Sequence, residues 1–195
     1  MLVSLQGLRE ERSDSEIKRS FGSFTCSRDK DIEYFFKRNA LRFEKASKSR
    51  TYLYLDDTAF EKDELKISAF FTMAPQVLML PKEMTEEQIK ELDGCFGTIH
   101  GEKLSALPVM LIGQLARADE YNAVKRNDEI SGANILKDAL GIANESRRLI
   151  GGRIVMVDVK TESSKLIRFY EENGFRRISD DEKTGLSQMI YAMTK

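Results

Sequence analysis

Hydrophobic positions between residues 27 and 48 recur every three or four places, which is the spacing of one face of a helix. Acidic residues stand early in this stretch and basic residues late, an order that suits the helix dipole. The side-chain oxygen of Ser27 or Asp29 can accept hydrogen bonds from the free N–H groups of a first turn. The apolar positions are Ile32, Phe35, Phe36, Ala40 and Phe43. The pattern predicts a helix that packs through a stripe of phenylalanines.

Short runs of β-branched and aromatic residues predict strands in the N-terminal half of the chain. Residues 3–8 predict a short first strand, and residues 51–55 and 65–73 predict an antiparallel pair joined by a polar connection. Residues 85–92 predict a short helix. The longer segment from 75 to 106 is otherwise irregular, and we expect it to lie near the acceptor side of an active site.

Strands and helices alternate in the C-terminal half. Residues 107–115 are almost continuously apolar, which predicts a strand buried on both faces. The predicted strands cover residues 107–115, 153–159, 175–178 and 188–193, and the predicted helices cover 130–150 and 163–173, each followed by glycine. A strand–helix–strand unit implies a right-handed parallel crossover. With antiparallel strands before and after it, the expected sheet is mixed and the fold class is α/β.

The length of 195 residues, with 41% hydrophobic and 32% charged residues, is typical of one globular domain, expected over residues 1–195. The 31 Lys and Arg nearly balance the 32 Asp and Glu, so a local basic patch is the most that could attract nucleic acid. No apolar run approaches the roughly 20 residues that span a bilayer. The first residues become charged too early for a signal peptide. We therefore expect a soluble, cytoplasmic protein with no membrane partner.

Metal and disulfide chemistry find little support in the sequence. Its cysteines are Cys26 and Cys95, without CxxC spacing, and its single histidine is His100. These are too few ligands for a zinc cluster, so no metal site is expected. Reduced thiols are the simplest interpretation.

The segment SSKLIRFYEENGFRRI combines a predicted helix carrying Phe-Tyr with a following Gly-Phe and a strand. In this it is similar to the closing motif of the GNAT superfamily of N-acetyltransferases. LPVMLIGQLARAD with ISGANILKDAL resembles its acetyl-CoA motif. FTCSRDKDIEYFFKRNALRF, TYLYLDD and ISAFFTM are similar to the branch that includes acetyltransferase toxins of bacterial toxin–antitoxin pairs. The resemblance implies a GNAT fold with six to seven strands, splayed parallel central strands and about four helices.

The resemblance assigns acetyl-CoA, the cosubstrate, to the loop that opens the helix near residue 132. The family pattern is Q/R-x-x-G-x-G/A, and this chain has Asn127, Ile130 and Gly132 at its three defined positions. Free N–H groups and the helix dipole point at a diphosphate there. The implied binding residues are Lys125, Arg126, Asn127, Ile130, Ser131, Gly132 and Ala133. Taken alone, the loop also fits an ordinary helix start with a solvated charged turn.

Two further contacts with the cofactor follow from the resemblance. The backbone of Leu115, Ala116 and Arg117 is expected to pair with the pantetheine amides where the parallel strands separate. Without the family, these residues are simply part of a core strand. Ser163 matches a position that often contacts the cofactor, and it fits a helix N-cap equally well.

Tyr170 matches the catalytic tyrosine of the family. A phenol with a pKa near 10 holds its proton at pH 7 and can donate it to the departing CoA thiolate. The alternative is a core aromatic residue beside Phe169. Because adjacent helical residues cannot both point into the core, we expect Phe169 to pack and Tyr170 to face the cleft. The sequence identifies no general base.

Three functions remain open from the sequence. The first is an acetyl-CoA-dependent N-acetyltransferase in which a primary amine of an unidentified small molecule or protein attacks the thioester directly. The second is a toxin-type enzyme that acetylates aminoacyl-tRNA, which a basic cluster favours. That cluster comprises Lys37, Arg38, Arg42, Lys45, Lys48 and Arg50. The third is a non-catalytic module that binds CoA or a partner. Because similar proteins are commonly homodimers, a homodimer is also an expectation.

Overall fold

The computed structural model describes residues 1–122 and 130–193. They divide into two compact units. Unit 1 comprises Met1–Ala74 and Ile112–Ala139, and unit 2 comprises Pro75–Leu111 and Leu140–Lys195. The single domain expected over residues 1–195 stays a prediction.

The described residues form both strands and helices, as expected of an α/β protein. The strands are β1 (Leu2–Ser4), β2 (Arg50–Leu55), β3 (Ile67–Met79), β4 (Thr98–Ile99), β5 (Glu102–Lys103), β6 (Ala106–Arg117), β7 (Ile154–Lys160), β8 (Arg176–Asp181) and β9 (Leu186–Ala192). The helices are α1 (Leu5–Glu11), α2 (Asp14–Ser23), α3 (Lys30–Arg38), α4 (Ala40–Lys45), α5 (Asp57–Phe60), α6 (Glu86–Asp93), α7 (Asp119–Asn122), α8 (Gly132–Ile150) and α9 (Ser164–Glu172). The described ranges therefore contain more helices than the four expected. Short helices such as α1, α5 and α7 were not predicted because they lack a long periodic pattern.

The main sheet has seven strands in the order β1-β2-β3-β6-β7-β9-β8, and β4 and β5 form a separate hairpin. The outer pairs β1/β2, β2/β3, β7/β9 and β8/β9 are antiparallel. The pair β6/β7 is parallel, with Met110 opposite Val155 and Leu111 opposite Met156. The sequence-based prediction of a mixed sheet of six to seven strands is confirmed.

Aromatic packing forms the core of unit 1. The Phe36 ring lies between Phe21 and Phe70, with centroid separations of 4.2 Å and 4.1 Å, and Phe24 is 4.7 Å away. Such pairs add about 0.5–1.5 kcal/mol each beyond the burial of their area. Of the predicted stripe, Phe36 and Ala40 are buried in this core, whereas Ile32, Phe35 and Phe43 are half-buried. Asp29, one of the two predicted caps, accepts hydrogen bonds from the N–H groups of Asp31 and Ile32.

The N-terminal region differs from the prediction in two places. Residues 5–8 are helical rather than extended, because Ser4 Oγ accepts a 3.0 Å hydrogen bond from Gly7 N–H and Leu5 and Leu8 are both buried at helical spacing. The single helix expected after residue 27 is split at Asn39, which ends α3 and precedes α4. The Asn39 side chain makes no capping hydrogen bond at this boundary.

Unit 2 has its own core beneath α6. Ile89 and Leu92 of α6 pack on the sheet against Leu78, Ile154 and Met156. Thr85, the first residue of the predicted helix, instead caps α6 in a reciprocal hydrogen-bonded box with Gln88. The irregular segment from 75 to 106 is therefore anchored in part through α6.

Burial differs between the two central strands, and the pattern of β6 corrects the prediction of a strand buried on both faces. Ile154–Val157 are all buried, as expected of a strand covered on both faces. In β6, by contrast, Pro108 and Gly113 are exposed, while Leu107 and Val109 are buried. The continuous apolar run hid this alternation because proline, glycine and methionine count as apolar whether or not they are covered.

Candidate active site

The end of β6 and the start of α8 meet in unit 1. The guanidinium of Arg117 donates a 3.1 Å hydrogen bond to the carbonyl oxygen of Ile130, and burial lowers the pKa of Arg117 from its ordinary value. Ser131 then begins the helix: its Oγ accepts from Asn134 N–H at 3.1 Å, and its carbonyl accepts from Ile135 N–H at 3.0 Å. A strand end is thereby attached to a capped helix start.

This helix start is accessible. Ile130, Ser131 and Gly132 are half-buried, and Ala133 and Asn134 are exposed. The Ser131 hydroxyl takes one N–H of the first turn, and the other first-turn N–H groups lie at the positive end of a helix that runs to Ile150. An accessible helix start of this kind can bind phosphate. The predicted binding residues Lys125, Arg126 and Asn127 lie outside the described residues.

Leu115, Ala116 and Arg117 occupy the last positions of β6. The parallel register with β7 ends at the pair Leu111–Met156, while β6 continues to Arg117. Immediately after the strand, Ala118 N–H donates to Ser68 O at 2.8 Å, which fixes this end of β6 beside β3. Leu115 and Arg117 are half-buried and Ala116 is buried. Their assignment to pantetheine stays a prediction.

Tyr170 lies on α9 in unit 2 within a short row of aromatic rings. Its centroid is 5.1 Å from Phe169 and 5.3 Å from Phe175, which in turn is 5.5 Å from Tyr191. Desolvation raises the pKa of Tyr170 to about 12. The side chain is half-buried, neither sealed in the core nor fully exposed. A phenol in this setting keeps its proton at neutral pH, as a general acid must.

Three expectations around Tyr170 have different outcomes. Phe169 was expected to pack into the core but is only half-buried, and no residue of α9 is fully buried. Gly174 adopts a φ of +85°, which ends the helix as predicted, and a Cβ there would lie 3.2 Å from the ring of Tyr191. Ser163 stands at the N-cap position of α9, but its side chain makes no capping hydrogen bond. Its role toward the cofactor stays a prediction.

Sequence reasoning missed two tyrosine–carboxylate pairs in unit 1. Tyr54 donates to Asp138 Oδ2 at 2.5 Å, and Tyr121 donates to Asp56 Oδ2 at 2.6 Å. Desolvation, together with the neighbouring carboxylate, raises the pKa of each phenol. Both pairs line a pocket of about 390 Å³ that also contacts Ile130. The partners are too far apart in sequence for any local pattern to join them.

The structure also bears on two other kinds of chemistry, a histidine base and a metal site. His100, the residue type most often used as a base, lies exposed at the turn between β4 and β5 with a φ of +53°. Within residues 1–122 and 130–193, no group of three or more His, Cys, Asp or Glu side chains is placed to hold a metal. No helix in those ranges is long and apolar enough to cross a membrane.

Comparison with known proteins finds matches in structure but none to a family model or to a curated sequence. No family model and no curated protein matches the sequence. Solved structures do match. AtaT complexed with acetyl-methionyl-tRNAfMet has a TM-score of 0.68 at 13% identity, over 98% of this chain and 94% of that chain. AtaTR bound with AcCoA has a TM-score of 0.68 at 14% identity, over 98% and 92%. A tyrosine-to-phenylalanine mutant of KacT has a TM-score of 0.66 at 15% identity, over 98% and 94%.

The chain has the GNAT fold. At these identities the likeness establishes the fold alone. The GNAT fold accounts for the parallel pair β6/β7 at the centre of the sheet and for the helix α8 that connects its strands. The resemblance to the GNAT family, which was based on the Phe-Tyr and Gly-Phe segment and on the strand–turn–helix segment, is confirmed at the level of the fold.

Proposed function

We propose that the chain is an acetyl-CoA-dependent N-acetyltransferase. The observation that carries the proposal is the accessible, Ser131-capped start of α8, fastened to the end of β6 by Arg117. Helix N-termini of this kind bind phosphate through N–H groups and the dipole. Similar structures of the same fold, AtaTR with AcCoA among them, make acetyl-CoA the appropriate cosubstrate.

In the proposed reaction, an acceptor amine attacks the thioester carbonyl directly. A backbone N–H near Leu115–Arg117 is suited to polarise that carbonyl as a single-donor oxyanion site. Tyr170 then gives its proton to the sulfur of the leaving thiolate. Because burial holds the pKa of Tyr170 near 12, the phenol is fully protonated at pH 7. General acid catalysis of this kind contributes roughly 100- to 10,000-fold in rate.

A toxin-type enzyme that acetylates aminoacyl-tRNA is the second candidate, and a basic cleft on unit 1 favours it. The cleft, of about 460 Å³, is lined by Lys18, Gly22, Lys37, Arg38, Leu41 and Arg42. Among the residues that the structure describes, Arg38 and Arg42 have no acidic partner, whereas Lys37 pairs with Glu33 at 2.9 Å. Unneutralised guanidinium groups attract phosphates. AtaT, of the same fold, is known in complex with acetyl-methionyl-tRNAfMet.

The rest of the predicted basic cluster is partly neutralised. Lys45 pairs with Asp14, and Arg50 pairs with Glu44 at 2.7 Å. The ammonium of Lys48 lies 5.5 Å from the centre of the Phe43 ring. The phosphate-binding surface we propose is therefore the cleft between α2 and α3–α4. It includes fewer residues of the basic cluster than the sequence suggested.

Incubation of the full chain with labelled acetyl-CoA and a panel of polyamines, peptides and charged tRNAs tests the proposal. Label transferred to any amine supports the enzyme. Retained CoA binding without transfer would favour the third alternative, a non-catalytic CoA- or partner-binding module.

A salt titration separates the two catalytic candidates. Binding of methionyl-tRNA should weaken as salt rises, and Arg38→Gln with Arg42→Gln should reduce the slope of log K against log salt by about 2. Arg148→Gln, on the exposed end of α8, is the matched control. Salt-independent binding, or an unchanged slope in the double variant, would favour a small-molecule or protein acceptor. A homodimer stays a prediction that sedimentation can check.

A further inference from the structure

Asp158 is an unusual residue for its place in unit 2. It interrupts the apolar strand β7, whose first four residues are buried, although aspartate is disfavoured in strands. Its side chain is exposed even though β7 lies inside the β7-β9-β8 part of the sheet. A carboxylate that is accessible on an inner strand marks an opening over that strand.

Cross-strand pairing places Asp158 at the end of a polar row. Asp158 is directly opposite Gln188 on β9, and Gln188 is opposite Ser179 on β8. Ser179 Oγ donates to Gln188 Oε1 at 3.0 Å, and the amide of Gln188 hydrogen-bonds the Asp158 carboxylate. With its carbonyl taken by Ser179, the Gln188 amide presents its NH₂ group to Asp158.

A β-bulge is what completes this row. The register between β8 and β9 shifts between Arg177 and Ser179, so Ser179, rather than Ile178, lies opposite Gln188. Bulges commonly re-aim a side chain near a functional site. Here the shift supplies the hydroxyl that orients the amide of Gln188.

The row continues the sheet face that α6 covers and begins where that cover ends. Side chains two apart on a strand share a face, so Met156 and Asp158 point the same way. Met156 is packed in the core beneath α6, and Asp158, the next position on this face, is exposed. Asp158 therefore lies next to the part of this face that α6 covers.

Tyr170 belongs to the opposite face. Tyr191 is directly opposite Val155, which is three residues from Asp158 and therefore on the other face of β7. The Tyr170 ring connects to Tyr191 through Phe175. The side chains of Tyr170 and Asp158 therefore lie on the two faces of β7.

We propose that Asp158 is the general base for the acceptor amine, and that Gln188 and Ser179 are its positioning residues. The inference rests on the proposed acetyltransferase function. An acceptor R–NH₃⁺ gives one proton to the Asp158 carboxylate, and the freed lone pair forms the N–C bond to the thioester carbon. The C–S bond breaks with its electron pair on sulfur, which takes the proton of Tyr170. The remaining excess proton on nitrogen restores Tyr170, and Asp158 returns its proton to solvent, so one proton is released overall.

The electrostatic setting supports this role. Desolvation raises the pKa of Asp158 above its usual range, and the hydrogen bond from Gln188 opposes that rise. A carboxylate with a raised pKa is a better base at neutral pH. The charged groups on the same face are Lys160 on β7, Asp181 on β8, and Arg176, which is 3.4 Å from Glu91 of α6.

Kinetics of the full chain test the base. With labelled acetyl-CoA and the member of the acceptor panel that the wild type acetylates fastest, Asp158→Asn should lower kcat/KM at least about tenfold at pH 7. It should also abolish the low-pH inflection of the rate profile and leave the Kd for CoA unchanged. Glu182→Gln, an exposed carboxylate in the β8–β9 turn, is the matched control. A wild-type rate and profile in Asp158→Asn overturns the proposal. A wild type that acetylates nothing defeats the proposed function itself.

A second variant tests the positioning role. Gln188→Met keeps the length of the side chain but removes the donor that stabilises the charged carboxylate. The inflection should therefore move to higher pH, while the rate on the high-pH plateau stays near that of the wild type. Ser179→Ala should move it in the same direction by less. An unmoved inflection in Gln188→Met would show that the row is only structural.

Stability gives an independent readout. A carboxyl whose pKa is raised in the folded state makes folding less favourable once pH exceeds its unfolded pKa. Asp158→Asn should therefore have a higher urea midpoint than the wild type at pH 7 while losing activity. A lower midpoint would make Asp158 a structural residue and overturn the proposal.

Discussion

Arg117 and Ile130 join the two segments that form the proposed cofactor site: Nη1 of Arg117 donates to the Ile130 carbonyl at 3.1 Å. Residues 118–131 separate the strand that ends at Arg117 from the helix that begins after Ser131. A charged hydrogen bond therefore connects the helix start to the strand end. Such a bond contributes roughly 1.5–3 kcal/mol.

Replacing Arg117 should loosen this attachment. Arg117→Met keeps the length and apolar stem of the side chain but removes the donor to Ile130. We expect the Kd for CoA, measured by calorimetry, to rise about tenfold, which corresponds to roughly 1.4 kcal/mol. Arg148→Met, on an exposed turn of α8, should leave the Kd unchanged. Equal affinity in the two variants would mean that the bond does not organise the site.

Glycine 132 and glycine 141 offer a matched comparison on one helix. Gly132→Glu introduces bulk and negative charge where a diphosphate is expected, and should weaken CoA binding at least about tenfold. Gly141 is exposed on α8, and a Cβ there would meet nothing within 4 Å, so Gly141→Glu should bind CoA as the wild type does. If both variants retained wild-type affinity in calorimetry, the pyrophosphate would have to bind elsewhere.

Glu33 should make the stability of the chain depend on pH. Its carboxylate accepts from Cys26 N–H, Lys30 and Lys37, each at 2.9 Å, and these bonds lower its pKa to about 2. A lowered folded pKa gives stability that is complete above the ordinary glutamate pKa and is lost as pH falls toward 2. Glu33→Gln should cost roughly 1–2 kcal/mol in urea unfolding at pH 7.

The cost in Glu33→Gln should shrink steadily when the same unfolding curves are measured between pH 4 and pH 2. Glu145→Gln, on the exposed face of α8, should show neither effect. A cost that is independent of pH would mean that the loss comes from packing rather than from the charge of Glu33.

Periodicity predicted most of the long elements because each carries enough apolar positions to define a face. Helix α8, strand β2 and the final pair β8/β9 lie close to their predicted ranges, whereas β3 continues six residues past its predicted end at residue 73. Helix α2 was missed although Ser13 and Glu16 form a capping box before Ile17 and Phe21, so the local signal was present in the sequence. Its apolar positions were simply too few to compete with the longer stripe that follows.

The candidate site was predictable only where it follows a motif. Gly132 and Tyr170 stand at recognisable positions on a strand–turn–helix segment and a Phe-Tyr helix. The Tyr54–Asp138 pair and the Asp158–Gln188–Ser179 row depend on strand register and on a bulge, which single-strand patterns do not encode. In the sequence, the one sign of the Asp158–Gln188–Ser179 row was an aspartate inside the apolar run of β7.

Acetyl transfer by the Tyr170→Phe variant tests the central claim most directly. With labelled acetyl-CoA and an acceptor that the wild type modifies, the variant should transfer at least about tenfold more slowly while its Kd for CoA stays within about twofold of wild type. Tyr34→Phe, at a tyrosine that is 64% exposed, should match the wild type in both measurements. Turnover by Tyr170→Phe equal to that of the wild type would contradict the account and remove the phenol from the mechanism.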